Sequence, residues 1–311
     1  MRINPKISFL LPVYNSSEYI VTVVESVLQQ NYENKKLEII LVDDCSNDDS
    51  LQKIEDLKSE YSEIIQIVKH KNNRGLAAAR NSAIQVAQGE IYIFLDSDIA
   101  PAIDFLDRTL EIFKHSEIQG VVGKTLPAEG IKYDKFQKYL YEARRGARHL
   151  KECQPVPYQH FLYNITAVRA EAVRETGLFD TNIKEYGGED TEYALRMARN
   201  FPEGLYFCPQ LKGYHHHYRT LDKALDLYEI YGRENVPYLI NKYPEMGKLY
   251  YYKYLKGPFF LRLIGQIVKS KPFRTLTKMI YKIMPAPLCY GAIRLLLASA
   301  LLKGMAEKMD D

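Results

Sequence analysis

Residues 91–98 read IYIFLDSD, and this stretch is the most informative one for the fold of the 311-residue chain. A continuous apolar run of five residues, such as 91–95, is typical of a fully buried strand. The run stops at Asp96-Ser97-Asp98, so two carboxylates directly follow the end of the strand. Carboxylates at this spacing can share a divalent cation, but an acidic turn or a helix N-cap has the same sequence pattern. The motif by itself leaves both interpretations open.

Similar apolar runs occur upstream at 7–13, 37–42 and 64–68, and segments with apolar residues at helical spacing lie between them. Strands that alternate with helices in this rhythm predict right-handed crossovers and a sheet covered on both faces. We therefore predict an α/β fold with a single, mostly parallel sheet and helices on both faces. Such sheets bind ligands at the carboxyl ends of their strands. Tyr14-Asn15 and Asp43-Asp44 follow two of these ends.

The C-terminal part of the chain is strongly basic. Residues 246–306 contain eleven Lys or Arg and no Asp or Glu, although the whole chain has a net charge of only +3. Such asymmetry indicates a polyanionic partner, either a membrane surface or a nucleic acid. Aromatic and aliphatic residues interleave with the basic ones, which favours helices lying in an anionic membrane interface. Ordinary helices packed on the rest of the protein are the alternative, and Pro285, Pro287 and Arg294 argue against a membrane span.

The four cysteines, Cys45, Cys153, Cys208 and Cys289, are far apart and show no metal-ligand spacing. The first six residues run directly into a strand-like segment and contain no secretory signal. We therefore expect reduced thiols in a cytoplasmic protein, which could sit peripherally on the inner face of the cell membrane.

Several segments, taken in order, resemble the motifs of family-two glycosyltransferases with the A-type fold. The segments are FLLPVYN at 9–15, ILVDDCSND at 40–48, NRGLAAARN at 73–81, LDSD at 95–98, GGED at 187–190 and the histidines at 215–217. The match spans about residues 6–220, so the combination is specific although each segment alone is common. The resemblance implies an inverting, metal-assisted glycosyltransferase that uses a nucleotide-sugar donor, by analogy a UDP-sugar.

The resemblance also implies roles for individual residues on the donor side. The expected nucleotide-binding residues are Pro12, Asn15, Asp44, Arg74, Gly75 and Asp96. Asp44 is similar to the aspartate that recognises uracil or ribose, and Asp96 to the one that faces the ribose and sugar. Asp98 is similar to the residue that binds Mn²⁺ or Mg²⁺ directly.

Asp190 resembles the catalytic base of the family. An inverting transfer needs one group that deprotonates the acceptor hydroxyl on the face opposite the leaving nucleotide. Two glycines precede Glu189-Asp190, so the backbone can approach a ligand closely there. Simple capping of the following helix is the alternative interpretation of this acidic pair.

The run of three histidines leaves the remaining metal ligand ambiguous. In an extended segment His215 and His217 share a face and His216 points the other way. One neutral imidazole can complete a metal site with Asp98, and mixed nitrogen and oxygen ligands suit Mn²⁺ at least as well as Mg²⁺. We choose His215 first and His217 second.

The sequence predicts a catalytic domain at 1–225 and a basic helical region at 226–311. The expected acceptor is a glycan or a lipid-linked molecule, as in the synthesis of cell-envelope polysaccharides, and no nucleic acid is expected. The Tyr- and Arg-rich stretch at 131–151 could line a sugar or phosphate pocket, but none of its residues is assigned. The alternatives are a nucleotidyltransferase-like metal-dependent enzyme and a nucleic-acid-binding protein that uses the basic tail.

Overall fold

The structure is a computed structural model that describes residues 5–310, apart from the side chains of Asn34, Met309 and Asp310. The expectation about targeting rests partly on the first four residues, which lie outside the described part. The chain forms two compact units. The first comprises the residues up to Ile131, Arg144–Asn182 and Glu189–His217, and the second comprises Lys132–Ala143, Ile183–Gly188 and the residues from Tyr218 onward.

The first unit is built on one sheet. Within the described residues its strands are β1 (Ile7–Val13), β2 (Leu37–Asp43), β3 (Ile65–Lys69), β4 (Ile91–Leu95), β5 (Ile99–Pro101), β6 (Gly120–Pro127), β7 (Gln154–Pro155), β8 (Ile165–Arg169) and β9 (Leu205–His215). The strand order is β3-β2-β1-β4-β8-β6-β9-β5, and β7 pairs with β9.

The first four strands are parallel, because β1 pairs in parallel with β2 and β4, and β2 with β3. Their carboxyl ends therefore lie at one edge of the sheet. β8 runs antiparallel to β4, so that Ile165 at its start lies opposite Leu95 at the end of β4. The predicted α/β fold with a mostly parallel sheet is confirmed. The antiparallel strands are an addition that brings the segment before β8 to the same edge.

Helices cover the sheet in the predicted alternation. In the first unit they are α1 (Ile20–Leu28), α2 (Ser50–Glu60), α3 (Leu76–Val86) and α4 (Phe105–Ile112), then α6 (Ala170–Thr176) and α7 (Glu189–Asn200). The second unit contains α5 (Lys135–Glu142), α8 (Leu221–Glu234), α9 (Val236–Lys242), α10 (Lys253–Lys256), α11 (Phe259–Lys269), α12 (Lys271–Ile283) and α13 (Tyr290–Asp310). Short 3-10 helices lie at Asn34–Lys36, Gly146–His149, Tyr158–His160 and Pro244–Lys248.

Two apolar layers hold the first unit together, one on each face of the sheet. Alternate residues of β1 point to opposite faces, as strand geometry requires. Phe9 therefore packs in the layer that contains Val23 of α1, and Leu10 packs in the layer that contains Ala79 of α3. This burial on both faces explains why the strand sequences are continuously apolar rather than alternating.

The second unit has its own core. Leu225 of α8, Phe136 of α5 and Ile293 and Leu296 of α13 are buried together. Gly232 of α8 lies so close to the backbone of α13 that an added Cβ atom would overlap it. In the described part of the chain, no helix is both long enough and apolar enough to span a bilayer.

The expectation of four reduced cysteines is wrong for two of them. Cys153 and Cys208 form a disulfide, with their Cα atoms 4.1 Å apart, whereas Cys45 and Cys289 are free. β7 pairs antiparallel with β9, and Gln154 lies opposite Phe207. Cys153 precedes Gln154 and Cys208 follows Phe207, so this antiparallel pairing brings the two cysteines together. The 55-residue separation in sequence gave no sign of this pairing.

Candidate active site

Asp44 fixes the loop that leads into α3. Its buried carboxylate accepts hydrogen bonds from the backbone N–H groups of Arg74 at 2.9 Å and of Gly75 at 2.8 Å. The Nδ1 atom of His70 lies 2.6 Å from the same carboxylate. Gly75 has a φ of 84°, which residues with a side chain rarely adopt. The loop backbone is therefore held by Asp44, and the side chain of Arg74 is exposed.

The turn after β1 is joined to the turn after β2. Pro12 is buried within β1, opposite Val42. Asn15 has a φ of 49°, and its backbone N–H donates to Ser46 Oγ at 3.1 Å. Its Oδ1 accepts from the backbone N–H of Asn47 at 2.8 Å. The two turns thus form one connected loop structure at the carboxyl edge of the sheet.

Arg80 is a buried arginine that connects three separate parts of the site. It belongs to α3 and is only 1% exposed. Its Nη1 lies 2.5 Å from Asp190 Oδ1, and its Nη2 lies 3.3 Å from Asp96 Oδ1. Nη2 also donates to the backbone carbonyl of Tyr163 at 3.0 Å. No functional role for Arg80 was predicted from the sequence, although the residue lies within the NRGLAAARN motif at 73–81.

Asp190 lies in the first turn of α7, after Gly188 with its φ of 102°. Its Oδ2 accepts the backbone N–H of Tyr163 at 3.1 Å, while Oδ1 faces Arg80. The neighbouring Glu189 is also oriented toward Arg80, with 3.9 Å between its Oε1 and Nη1 of the arginine. The acidic pair therefore does more than cap a helix, because both carboxylates face a buried cation.

Asp98 is in contact with a histidine. Its Oδ2 lies 3.1 Å from His215 Nε2, and its carbonyl accepts the backbone N–H of His216 at 2.8 Å. The pairing of β5 with β9 explains this contact, because Ile99 lies opposite His215. The rings of His215 and His217 are 6.2 Å apart between centroids. The structure thus brings together Asp98 and the first-choice histidine.

The side chains around Asp98 fit part of a metal site. Asp98 offers a carboxylate oxygen and His215 an imidazole nitrogen, which are donors that Mn²⁺ and Mg²⁺ accept. Among the residues that the structure describes, no group of three or more His, Cys, Asp or Glu is arranged to hold a metal ion. The pair therefore matches a cation that takes its other ligands from substrate phosphates and water.

The carboxylates at this edge of the sheet repel one another. Burial raises the pKa of Asp96; Arg80 lowers it, and repulsion from Asp98 and Asp190 raises it further. Burial, with repulsion from Asp190, raises the pKa of Glu189 to about 7. The edge carries more negative charge than Arg80 alone compensates, which favours the binding of a further cation.

The sequence model of glycosyl transferase family 2 matches residues 8–177, more than half of the chain. The chain belongs to glycosyl transferase family 2. It is therefore a glycosyltransferase, and the nucleotidyltransferase alternative is set aside. The matched segment contains Asp96 and Asp98 and ends before Asp190.

Several relatives of the family are similar in sequence. YfnE of Bacillus subtilis, described as an uncharacterized glycosyltransferase, is 27% identical over 303 residues, covering 82% of this chain and 74% of that protein. The poly(ribitol-phosphate) beta-glucosyltransferase of Bacillus spizizenii is 36% identical over 119 residues, covering 38% of this chain and 19% of that protein. The poly(ribitol-phosphate) beta-N-acetylglucosaminyltransferase TarS of Staphylococcus aureus is 30% identical over 134 residues, covering 41% and 23%. The match thus covers less than a quarter of the two poly(ribitol-phosphate) enzymes.

Solved structures share the fold. S. aureus TarS 1–349 in complex with UDP has a TM-score of 0.56 at 16% identity and covers 98% of this chain and 91% of its own. The mannosyltransferase PcManGT from Pyrobaculum calidifontis, in complex with GDP-Man and Mn²⁺, has a TM-score of 0.59 at 19% identity and covers 97% and 88%. These similarities show the A-type glycosyltransferase fold.

We predict that Glu189→Gln changes the dependence of stability on pH. The wild-type carboxyl holds its proton more tightly in the folded chain, so its ionisation costs folding free energy as the pH rises from its ordinary pKa to about 7. The melting temperature of Glu189→Gln relative to wild type should therefore increase between about pH 5 and about pH 8. Glu175→Gln, at an exposed position of α6, is the matched control. A pH-independent difference for Glu189→Gln would contradict this account of the carboxyl cluster.

Proposed function

We propose that the chain is an inverting glycosyltransferase that moves a sugar from a UDP-sugar to a hydroxyl group of a glycan or lipid-linked acceptor. In this proposal residues 1–225 carry the catalysis. The supporting observation is that residues distant in sequence meet around the LDSD motif. Asp190 and Asp96 share Arg80, and Asp98 contacts His215.

The donor nucleotide binds, in this proposal, against the loops after β1 and β2. Arg74 has an exposed guanidinium that offers a fork of donors to diphosphate oxygens. Asp44 holds the backbone of Arg74 and Gly75 and contacts the uracil or ribose through its remaining lone pairs. Pro12 and Asn15 shape the adjoining loop, and Asp96 faces the ribose and sugar. The UDP and UDP-GlcNAc complexes of TarS support a UDP-sugar as donor.

Asp190 is the proposed base. The acceptor hydroxyl attacks the anomeric carbon from the face opposite the nucleotide, and its oxygen bonds to that carbon. The bond from the carbon to the diphosphate breaks, with its electron pair leaving on the diphosphate, while Asp190 takes the hydroxyl proton. The contacts with Arg80 and the Tyr163 N–H fix the carboxylate. Each of its oxygens keeps a second lone pair for the incoming proton. A single displacement of this kind inverts the anomeric centre.

Asp98 and His215 are the proposed protein ligands of Mn²⁺ or Mg²⁺, with His217 as the second choice for the imidazole. These two side chains would hold the ion, which would supply positive charge to the departing diphosphate. Among the solved structures that share the fold, PcManGT is in complex with GDP-Man and Mn²⁺, which supports a metal-assisted reaction.

The names of the sequence relatives support an acceptor from cell-envelope polysaccharide synthesis. Two of them are poly(ribitol-phosphate) glycosyltransferases, and another is the minor teichoic acid biosynthesis protein GgaA of Bacillus subtilis. We propose an acceptor of this general kind for this chain, a hydroxyl-rich glycan or polyol that is polymeric or lipid-linked.

A pair of isosteric substitutions tests the proposed reaction. Asp190→Asn also loses the ion pair with Arg80 and should therefore melt at a lower temperature than wild type. It should keep the rise in melting temperature on addition of UDP and Mn²⁺ and lower transfer at least about 100-fold, because the base is lost while Asp98 and the nucleotide-binding loops are unchanged. Asp98→Asn should lose both transfer and the Mn²⁺-dependent part of the stabilisation. Transfer is measured as UDP release from UDP-glucose or UDP-N-acetylglucosamine with poly(ribitol phosphate) as acceptor. Near-normal transfer by Asp190→Asn would refute the base, and unchanged Mn²⁺ dependence in Asp98→Asn would refute the metal ligand.

The second unit has exposed apolar rows on two helices. On α11 the row is Phe259, Phe260, Leu263 and Ile267, and on α12 it is Leu276, Met279, Ile280 and Ile283. Phe259 is 75% exposed and Ile283 is 79% exposed. Amphipathic helices of water-soluble proteins normally turn such a row toward the core. Apolar rows that are exposed instead indicate a surface that contacts an apolar partner.

The charge around the exposed rows identifies their proposed partner. No Asp or Glu occurs between 246 and 306, and Arg262, Lys269, Lys271 and Lys282 lie on or beside the two helices. An exposed apolar row with basic neighbours is the pattern of a helix that lies in an anionic lipid interface. We propose that α11 and α12 bind the inner face of the cell membrane peripherally, with the protein itself cytoplasmic.

Vesicle sedimentation tests the membrane contact. The wild-type chain should sediment with phosphatidylcholine vesicles that contain phosphatidylglycerol, and much less with phosphatidylcholine alone. Phe260→Ser combined with Ile283→Ser should weaken binding at least about tenfold, because two apolar side chains that would be buried in the lipid are lost. Leu178→Ser, at an exposed apolar position of the first unit, is the control. Self-association or RNA binding without vesicle binding would contradict the proposal and favour a second copy or a nucleic acid.

A further inference from the structure

A cleft of about 300 Å³ lies in the first unit, beside β6. Its walls come from residues 122–125 of β6, the 3-10 helix at 146–149 with the residue before it, the segment 159–164 and β9. The Tyr- and Arg-rich stretch from the sequence thus divides between the units. Arg145 and Arg148 line this cleft, whereas Tyr139 is buried in the core of the second unit.

The lining of the cleft is cationic. Lys124, Arg145 and Arg148 contribute positive charge, and no Asp or Glu is among the lining residues. Arg148 Nη2 lies 3.3 Å from Thr125 Oγ1, which holds the guanidinium at the wall. Burial lowers the pKa of His160, so its ring adds hydrogen-bonding capacity rather than charge at neutral pH. Arginine forks and a lysine at this density match phosphate oxygens.

The cleft also presents a polar group suited to a hydroxyl. Gln159 lines it, and among the residues that the structure describes its buried Oε1 has no hydrogen-bond partner. A buried acceptor without a partner is destabilising, and a ligand hydroxyl would supply the missing hydrogen bond. In either orientation the amide offers a polar atom to the cleft. The lining thus combines cations for a phosphate with an amide for an alcohol.

Two residues of the cleft wall are the sequence neighbours of the residue that contacts the proposed base. Leu162 and Asn164 both line it, and the residue between them is Tyr163. The backbone N–H of Tyr163 donates to Asp190, and the carbonyl of Asn164 accepts the backbone N–H of Asp96 at 2.9 Å. The segment 162–164 therefore contributes both to the cleft wall and to the backbone contacts that hold the two carboxylates.

We infer that this cleft is an acceptor subsite for a phosphate group carried next to free hydroxyls, as in a phosphorylated polyol or sugar. The inference rests on the proposed glycosyl transfer, since the phosphate would anchor the acceptor while a neighbouring hydroxyl reaches Asp190. Lys124, Arg145 and Arg148 bind the phosphate, and Gln159 accepts from or donates to a hydroxyl of the same ligand.

Calorimetric titration tests the subsite without turnover. Ribitol 5-phosphate should bind the wild-type chain at least about tenfold more tightly than ribitol, because its phosphate adds charge-assisted hydrogen bonds to the arginines. Arg145→Gln combined with Arg148→Gln should remove this preference and leave binding of UDP with Mn²⁺ unchanged. Arg144→Gln, the exposed neighbour that does not line the cleft, should behave as wild type. Lys124→Gln provides a second, independent variant if the double variant does not fold.

The outcomes separate this inference from the proposed reaction. If the wild-type chain transfers sugar but binds ribitol and its phosphate equally, the subsite is wrong and the reaction stands. If the arginine variants lose UDP binding instead, the cleft holds the donor diphosphate, which also overturns the inference. Phosphate-dependent binding that needs the arginines, in a chain without transfer, would support the subsite and refute the reaction.

Discussion

The rest of the site depends on the ion cluster around Arg80. A guanidinium that is only 1% exposed is costly to bury unless carboxylates compensate its charge. Asp190 and Asp96 each have a carboxylate oxygen within 3.3 Å of a guanidinium nitrogen, and the ring centroid of Phe179 lies 5.3 Å from Cζ of Arg80. Because these partners come from α7, the end of β4 and the loop before α7, Arg80 fixes the relative positions of elements that are distant in sequence. Removing the arginine would leave the partly buried carboxylates of Asp96 and Asp190 uncompensated.

The cluster also affects the protonation of the carboxylates at the carboxyl edge of the sheet. Burial is the main cause of the raised pKa values of Asp96 and Glu189, and repulsion between the carboxylates adds to it, while Arg80 lowers both values. Asp98 lies next to the cluster but pairs with His215 rather than Arg80. This arrangement separates the proposed roles. One carboxylate is held by an arginine for proton transfer, and another remains beside an imidazole for a metal ion.

Sequence analysis predicted what depends on local patterns. The buried strands were recognisable because burial on both faces makes their sequences continuously apolar. Asp98 and His215, both singled out from the sequence, lie 3.1 Å apart between Oδ2 and Nε2. The catalytic and binding roles of these residues stay predictions.

The features that sequence analysis missed depend on tertiary pairing. Arg80 and Asp190 are 110 positions apart, and an arginine in an Ala-rich helix is usually solvated. The Cys153–Cys208 bond follows from the register of β7 on β9, which no local motif encodes. The contact of His70 with Asp44 is not predictable from a local pattern either, because the two residues are 26 positions apart. In each case the sequence supplied the residue and the fold supplied the partner.

A double-mutant cycle at Arg80 and Asp190 tests the central claim most directly. The free energies of unfolding of Arg80→Met, Asp190→Asn and the double variant are compared with wild type in urea. Removing one partner of a buried ion pair typically costs about 3–5 kcal/mol, and removing both costs less than the sum. We predict a coupling energy of at least about 1.5 kcal/mol between the two positions. Effects that add within about 0.5 kcal/mol would show that the pair is not the interaction on which the site depends.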